Sequence, residues 1–276
     1  MSTIKFKVNK EKCTLCGKCA ADCPANIIAM TDNGPAIAQD QEKFCYKCEH
    51  CLAICPTAAV SILGLDPLNS MPVLGALPSA MQMEALIKGR RSVRRYRDED
   101  LDPETVQLLL DVAWHAPTGK NDRQVRLTVI DKKETLAKFR LQALAGIDRL
   151  AAAGKLPPGM EKFADFPKLW ATKKVDILFR GAPHLLVTSA PKTSPCPTAD
   201  CFIAMSYFEL FAQTQGVGTV WDGLLKWTMD MLPELQKTLG IPEDHQIGYA
   251  MVFGKPAVRY VRTVQHKPAS IVRVSL

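Results

Sequence analysis

The sequence predicts an α+β protein, in which a small cysteine-rich module is followed by a larger domain of helices and strands. Two observations predict this fold class. Eight of the ten cysteines fall in a duplicated pattern within the first 55 residues. From Met81 onward, amphipathic helical segments alternate with short apolar stretches of strand length. A chain of 276 residues is long enough for one such module and one ordinary domain.

The composition is that of a globular protein. Hydrophobic residues make up 47% of the chain and charged residues 23%, which excludes intrinsic disorder for the bulk of the protein. The formal net charge is +7 before any cofactor is counted. Such a balance fits a nucleic-acid binder, but an anionic cofactor or an acidic redox partner explains it equally well.

Targeting and membrane signals are not evident in the sequence. The first twelve residues carry four lysines and no apolar core of signal-peptide length. No apolar run approaches the roughly 18 residues of a membrane span. The cysteines follow metal-type repeats, which fits a reducing compartment better than a disulfide framework. We therefore expect a cytoplasmic protein without a membrane partner.

The cysteine pattern is Cys-x2-Cys-x2-Cys-x3-Cys-Pro, and it occurs twice. In such runs the first three thiolates bind one [4Fe–4S] cluster and the fourth binds the other. The spacing predicts one cluster on Cys13, Cys16, Cys19 and Cys55. It predicts a second cluster on Cys45, Cys48, Cys51 and Cys23. Structural zinc is the alternative, but zinc sites are usually built from two cysteine pairs and fit this doubled run poorly.

Both predicted cluster sites have four cysteine ligands and no open iron position. This arrangement suits electron transfer and not substrate chemistry at iron. Residues 1–62 resemble the bacterial two-cluster ferredoxins, with no departure in the cysteine pattern.

The domain boundaries follow shifts in composition. Residues 1–62 form the ferredoxin-like domain, and residues 63–80, rich in Pro, Gly and Ser without periodicity, form a linker. Residues 81–276 form the larger domain.

Helix and strand signals follow one another in the larger domain. Asp102-Pro103-Glu104 supplies an N-cap, a proline at the first helical position and an acid in the first turn, and Pro117 ends the predicted helix. A second helix is predicted over 200–215, closed by Gly216. Predicted strands are 125–130, 184–188 and 249–253.

The densest charge cluster of the chain is Arg-Arg-Ser-Val-Arg-Arg-Tyr-Arg at 90–97. Guanidinium groups bind phosphate oxygens through paired hydrogen bonds, and a serine hydroxyl adds another. Taken alone, such a run is more often a solvated or nucleic-acid-binding face. A phosphate site is favoured here by the context, in which a capped helix and the loop Ala-Pro-Thr-Gly-Lys-Asn at 116–121 follow before a strand.

Five motifs in this order resemble the FMN-dependent nitroreductase family over about residues 84–276. They are the arginine segment, the loop 116–121, Asp-Ile-Leu-Phe-Arg-Gly-Ala-Pro at 176–183, Gly-Val-Gly-Thr-Val-Trp at 216–221, and the Lys-Pro pairs at 255–256 and 267–268. The resemblance extends to family members with a fused ferredoxin module. It implies a nitroreductase-like α+β fold with a central mixed sheet flanked by helices, bound FMN, and a homodimer with the flavin near the subunit interface.

The resemblance also implies which residues contact the cofactor. The FMN phosphate and ribityl chain would meet Arg90, Arg91, Ser92 and Arg94, and Lys267 would also reach the phosphate. Pro117, Thr118 and Asn121 match a loop that reaches the flavin of the other subunit. Backbone N–H groups of Trp221, Asp222 and Gly223 would lie near the flavin N5 and O4. No catalytic side chain is predicted, because the flavin carries the chemistry.

The chain departs from the family pattern at several positions. Arg123, Gln124 and Val125 stand where the family has Gln, Pro and Trp, which puts the local flavin contacts in question. Asp222 either lies over the flavin or caps the following helix, and the sequence gives both alternatives equal weight. His266 replaces a carboxyl-terminal arginine. Residues 140–172 match no family segment and are predicted to form a substrate lid around the loop at 154–159.

Three other features are assigned ordinary roles. His115 could donate a proton, but a helix-end residue is the favoured interpretation. Cys196 and Cys201 are predicted to be buried free thiols. The segment 216–223 lacks the spacing of a dinucleotide-binding loop and follows a helix, so no such site is predicted.

The function implied is an oxidoreductase in which two clusters pass electrons to FMN and the flavin reduces a nitroaromatic, a quinone or another conjugated electrophile. A ferredoxin-type donor and NAD(P)H are both open as electron sources. One alternative is a non-enzymatic carrier that serves a protein partner. Another is an arginine-rich nucleic-acid binder with structural clusters, ranked far behind, so no nucleic-acid partner is predicted.

Overall fold

The computed structural model describes residues 4–276. They form two compact units. The first unit extends to Pro78 and includes Lys120–Asp122, and the second comprises Ser79–Gly119 and Arg123–Leu276. Within the described part of the chain, none of the helices has the length and apolar character needed to cross a membrane.

The first unit is built around the two cysteine runs. Each run contains a single helical turn around its third cysteine, and its fourth cysteine follows that turn. The elements are β1 (Lys7–Val8), α1 (Lys18–Ala21), β2 (Ala29–Thr31), β3 (Gly34–Ala36), α2 (His50–Ala53) and β4 (Val60–Ser61). β1 pairs antiparallel with β4, and β2 with β3. The first pairing brings the start of the module beside its end.

A small apolar core lies between the two cysteine runs. The apolar stretches that follow the runs both contribute to it, with Ile27 and Ile28 from the first and Val60 and Ile62 from the second. Leu52 of α2 completes the same cluster. A core of this size supplies little stability, so this module depends on additional ligands or cross-links.

The second unit contains a four-stranded sheet in the order β5-β6-β8-β7. Its strands are β5 (Arg126–Ile130), β6 (His184–Pro191), β7 (Gly218–Trp221) and β8 (His245–Gly254). All three pairings are antiparallel. Among the described residues, parallel pairing in this unit is limited to a bridge between Ser92 and Thr219, so the predicted mixed character is confined to this edge.

Seven helices of the second unit surround the sheet. They are α3 (Ala80–Gly89), α4 (Pro103–Trp114), α5 (Lys133–Ala152), α6 (Asp165–Lys173), α7 (Pro197–Thr214), α8 (Gly223–Met231) and α9 (Pro233–Thr238). The cap predicted for α4 is present, since Asp102 accepts a hydrogen bond from the Thr105 N–H at 3.0 Å. α7 begins three residues earlier than predicted, because Pro197 takes its first position.

Both faces of the sheet are covered by helices. Side chains alternate along β6, so Leu186 packs with α4 and α7, whereas Leu185 and Val187 pack with α5, α8 and α9. The central strands are therefore buried on both sides. This leaves the loops at the ends of the strands to form a site.

Candidate functional site

The eight cysteines of the first unit gather in two groups, each around its own pocket. One pocket is lined by Cys13, Cys16, Cys19 and Cys55. The other is lined by Cys23, Cys45, Cys48 and Cys51. Each group combines three cysteines of one run with the last cysteine of the other. The structure thus brings together both ligand sets that the spacing predicts.

The environment of these thiols favours a bound cationic centre. Burial, followed by the neighbouring thiols of the same group, raises the pKa of Cys51 to about 12 and also raises the pKa of Cys19. Thiolates at these places need positive charge nearby, which cluster iron would supply.

Backbone N–H groups also point at the sulfurs. The Ala59 N–H donates to the Cys55 Sγ at 3.2 Å, and the Lys47 N–H donates to the Cys45 Sγ at 3.4 Å. Such bonds stabilise thiolate charge and tune cluster potentials. The two acceptors belong to different groups, so each predicted cluster receives at least one.

In the second unit, the arginine segment runs alongside β7. The Val93 N–H donates to the Thr219 carbonyl at 2.8 Å, and Ser92 bridges the same residue. Arg90 reaches a buried acid, with Nη1 3.1 Å from the Glu209 Oε1. Two of the predicted flavin segments, the arginines and the strand that ends at Trp221, are therefore neighbours in the fold.

The loop between α4 and β5 is held at its centre. The Gly119 N–H donates to both carboxylate oxygens of Asp200, at 3.0 and 3.1 Å, and Asp200 is buried in the first turn of α7. The Thr118 hydroxyl accepts from the Arg123 N–H at 3.0 Å, and the Arg123 guanidinium lies over the Trp114 ring. The departure from the family pattern at Arg123 thus serves to brace this loop.

Asn121 falls within the first unit. Its side-chain amide donates to the carbonyls of Tyr46 and Lys47, at 2.9 and 3.1 Å. Both carbonyls lie between Cys45 and Cys48, two predicted ligands of one cluster. The side-chain amide of Asn121 is thus hydrogen-bonded within the first unit.

The end of β7 carries an aromatic group. Trp221 stacks on Phe202, with ring centroids 5.6 Å apart and planes at 20°, and its centroid lies 5.4 Å from that of Tyr249. The Trp221 indole N–H donates to the Glu209 Oε2 at 2.9 Å. The position of this indole is therefore fixed from two sides.

Asp222 combines a capping role with a buried, unpaired oxygen. Its Oδ1 accepts from the Leu225 N–H at 2.9 Å, so the capping alternative is observed. Among the described residues no donor reaches its Oδ2, although the residue is only 5% exposed. Burial raises the pKa of this carboxyl to about 7. The group can therefore exchange a proton near neutral pH.

The backbone beside Asp222 is closely packed. A Cβ at Gly223 would lie 2.8 Å from the Tyr249 hydroxyl oxygen, so a larger residue there would require the Tyr249 side chain to shift. Gly223 is also the first residue of α8, and its backbone N–H has no partner within the helix. A backbone donor of this kind beside a titratable carboxyl suits a flavin, and the chemistry of the residues present fits that cofactor.

The remaining predicted residues lie elsewhere or take ordinary roles. Lys267 and His266 are exposed in a segment without helix or strand after Pro256. The backbone of His115 caps α4, as favoured. Cys201 is buried as predicted, but the prediction is wrong for Cys196, which is exposed ahead of α7.

Sequence reasoning missed two buried acids of α7, Asp200 and Glu209. Each sits among apolar neighbours on the helix, such as Met205 and Phe208, and a carboxylate there requires donors from elsewhere in the fold. The sequence signal that could have identified them is an acidic residue on the apolar face of a predicted helix.

Comparisons with known proteins match both parts of the chain. Residues 12–60 match the 4Fe-4S dicluster domain, which confirms the predicted module. An uncharacterized ferredoxin of Methanocaldococcus jannaschii is 36% identical over 66 residues, covering 23% of this chain and 84% of that protein. Nitroreductase NfnB of Mycolicibacterium smegmatis is 27% identical over 212 residues, covering 67% of this chain and 88% of that protein.

Solved structures agree on the fold of the larger part. A nitroreductase with bound FMN from Bacteroides fragilis superimposes with a TM-score of 0.57 at 20% identity, covering 71% of this chain and all of that one. A nitroreductase with bound FMN from Desulfitobacterium hafniense gives a TM-score of 0.54 at 24% identity, covering 70% and 98%. Residues 87–255 match the nitroreductase family over more than half of the chain. This chain belongs to the nitroreductase family, with a 4Fe-4S dicluster domain at its amino-terminal side.

Proposed function

We propose that this protein is an FMN-dependent oxidoreductase that receives electrons through two [4Fe–4S] clusters and reduces an organic acceptor. The acceptor class is a nitroaromatic, a quinone or another conjugated electrophile. When bound, the clusters carry single electrons and FMN collects two for transfer to the acceptor. One observation carries the proposal: a single chain holds two four-thiol pockets and an arginine segment paired to β7.

The cysteine ligands support the electron-transfer part of the proposal. Cys13, Cys16, Cys19 and Cys55 would hold one cluster, and Cys45, Cys48, Cys51 and Cys23 the other. With four protein ligands each, both clusters are closed to substrates. All eight proposed ligands come from this chain.

The residues around β7 support the flavin part. Arg90 keeps guanidinium donors beyond the one that contacts Glu209, so it can still bind a phosphate oxygen. Arg91, Ser92, Arg94 and Lys267 would complete the phosphate contacts. Pro117, Thr118 and Asn121 would reach the flavin of a second copy, which makes a homodimer part of the proposal.

Asp222 is suited to handle a proton at the ring. Its unpaired Oδ2 is buried, and burial raises its carboxyl pKa to about 7. A group with this pKa binds and releases a proton at neutral pH without a large free-energy cost. The backbone N–H groups at the start of α8 would stabilise negative charge on the reduced ring.

The proposed substrate lid is shorter than the whole stretch 140–172. Much of the stretch 140–172 belongs to α5, which buries Ala143, Leu144 and Ile147 in the core. The exposed loop over 153–159 between α5 and α6 is the part free to vary with the substrate. We propose that this loop, and not the whole stretch, contributes to acceptor choice.

A non-enzymatic carrier is the competing function. Such a protein would pass electrons to a protein partner and would show no saturable reaction with small acceptors. Titration of the anaerobically reconstituted, reduced protein with a nitroaromatic and with a quinone separates the two.

We expect the reoxidation rate of the bound flavin to saturate with acceptor concentration for at least one compound class. A rate that stays linear and slow for both classes would favour the carrier. Reconstituted protein that holds neither iron nor FMN would contradict the proposal altogether. Parallel reduction by reduced ferredoxin and by NADPH identifies the donor.

A further inference from the structure

Glu209 on α7 is a convergence point for three donors in the second unit. Arg90 Nη1 lies 3.1 Å and Thr219 Oγ1 lies 3.3 Å from its Oε1. Trp221 Nε1 lies 2.9 Å from its Oε2. The donors come from the start of the arginine segment and from both ends of the Thr219–Trp221 stretch of β7.

The burial of this carboxylate makes the contacts strong. The Glu209 side chain is 8% exposed, and its neighbours Met205, Phe208 and Ala212 pack in the core against β8. A buried carboxylate is stable only when its charge is balanced and its oxygens are hydrogen-bonded. Since the helix backbone fixes the acid, the acid in turn fixes its three partners.

We infer that Glu209 is a positioning residue, which orients Arg90 and the Trp221 indole for the flavin. The inference rests on the proposed function, because both partners are proposed flavin contacts. An acid would repel the FMN phosphate, so Glu209 does not bind the cofactor itself. It holds the phosphate-binding arginine and the aromatic group beside Asp222 in one rigid arrangement.

Glu209 links the two ends of the proposed cofactor site. Arg90 and Trp221 lie far apart in the sequence, yet one carboxylate bonds both. Removing that carboxylate should loosen both ends of the cofactor site together. A merely stabilising ion pair would change the unfolding temperature and leave the cofactor affinity unchanged.

The test uses the full-length holoprotein and measures the FMN dissociation constant by flavin fluorescence. Glu209→Gln keeps the shape of the side chain but removes its charge. The amide has one acceptor oxygen, whereas the two carboxylate oxygens of Glu209 accept from three donors. We expect the dissociation constant to rise about tenfold, the effect of losing roughly one charge-assisted hydrogen bond. The near-ultraviolet circular dichroism band that disappears in Trp221→Phe should also weaken.

Glu234→Gln is the matched control, because Glu234 pairs with Arg149 on an exposed surface and has no proposed role in the cofactor site. It should leave the FMN dissociation constant within about twofold of the wild type. In the double variant Glu209→Gln/Trp221→Phe, the two losses of affinity should overlap and not add. Full additivity would overturn the inference, as would an unchanged dissociation constant in Glu209→Gln.

If Glu209→Gln fails to fold, Thr219→Val tests the same group of contacts around Glu209. It removes one neutral donor and leaves the Arg90–Glu209 ion pair in place. A dissociation constant raised about threefold is then expected, and an unchanged one overturns the inference. Wild-type protein that bound no FMN would overturn the proposed function and this inference together. Normal FMN binding that is insensitive to these variants would overturn the inference alone.

Discussion

Asp222 is a buried carboxyl group, shielded from water, that accepts a hydrogen bond from the Leu225 N–H. Its folded-state pKa, about 7, lies above the value of about 4 expected in the unfolded chain. The folded chain therefore binds this proton more tightly than the unfolded chain does. The free energy of unfolding falls as the pH rises from about 4 toward 7, because the carboxylate must then be buried with its charge.

Replacement of Asp222 by Asn should remove this pH dependence. An amide still accepts the bond from the Leu225 N–H and carries no charge to bury. Between about pH 5.5 and 8 we expect the variant to gain about 2 kcal/mol of unfolding free energy relative to the wild type. Denaturant unfolding of the full chain at the two pH values measures the difference.

Asp230→Asn supplies the control, since Asp230 lies on the same helix but is solvent-exposed and pairs with Lys226. Its stability difference from the wild type should hardly change with pH. A wild-type–Asp222→Asn difference that is equally constant would show that Asp222 is ionised at both pH values.

At the scale of elements, β7 and the arginine segment are packed closely against each other. A Cβ at Gly218 would lie 2.7 Å from a Val93 methyl carbon and 2.9 Å from its Cβ. The Val93 side chain is itself buried, so it has no room to swing away. Glycine at 218 thus permits the pairing that places Ser92 beside Thr219.

Gly218→Ala should push the arginine segment away from β7. Overpacking of this kind costs about 1–3 kcal/mol of unfolding free energy, and we expect FMN affinity to fall with it. The double variant Gly218→Ala/Val93→Ala should be less destabilised than the sum of the single variants by at least about 1 kcal/mol. Thermal and denaturant unfolding provide the measurement, and strict additivity would contradict the proposed clash.

Local signals decided which elements could be predicted from the sequence. α4 was readable because Asp102 and Pro103 mark its start, and β6 because it is a continuous apolar run. α5 was missed although Leu136, Phe139 and Ala143 recur on one face, because Lys132 gives it no side-chain cap. The apolar periodicity of α5 alone did not indicate a helix, because the segment has neither a start signal nor a family motif.

The site could be predicted from the sequence only where its functional residues are close together along the chain. The cysteine runs and the arginine segment are such stretches, and their grouping follows from spacing. The contacts of Glu209 with Arg90 and of Asp200 with Gly119 join residues 119 and 81 positions apart. Partners at such separations are brought together by the packing of α7 on the sheet, which no local pattern encodes.

At the scale of the whole molecule, the crossing of the cysteine runs can be tested by pairs of substitutions. Cys55 belongs to the second run but lines the pocket of Cys13. Cys55→Ala should lose about half of the bound iron, and Cys55→Ala/Cys13→Ala should lose no more, because both changes strip one site. Cys55→Ala/Cys45→Ala should lose nearly all of it.

Iron and acid-labile sulfide per chain, measured after anaerobic reconstitution, give the answer. Cys196→Ala, a change at an exposed thiol in the second unit, should keep the full iron content. If Cys55→Ala/Cys45→Ala retained half of the iron instead, each run would supply all four ligands of its own cluster.

The pairing of β1 with β4 sets the entry and the exit of the cysteine module side by side. A fold whose ends adjoin at the surface can be attached to a neighbour without alteration of its interior. The same module can accordingly exist as a small free-standing protein, as in the archaeal ferredoxin that it resembles, and as the leading portion of a longer polypeptide. Fusion to another domain then requires only a linker, so the same cluster-binding module can be joined to unrelated proteins during evolution.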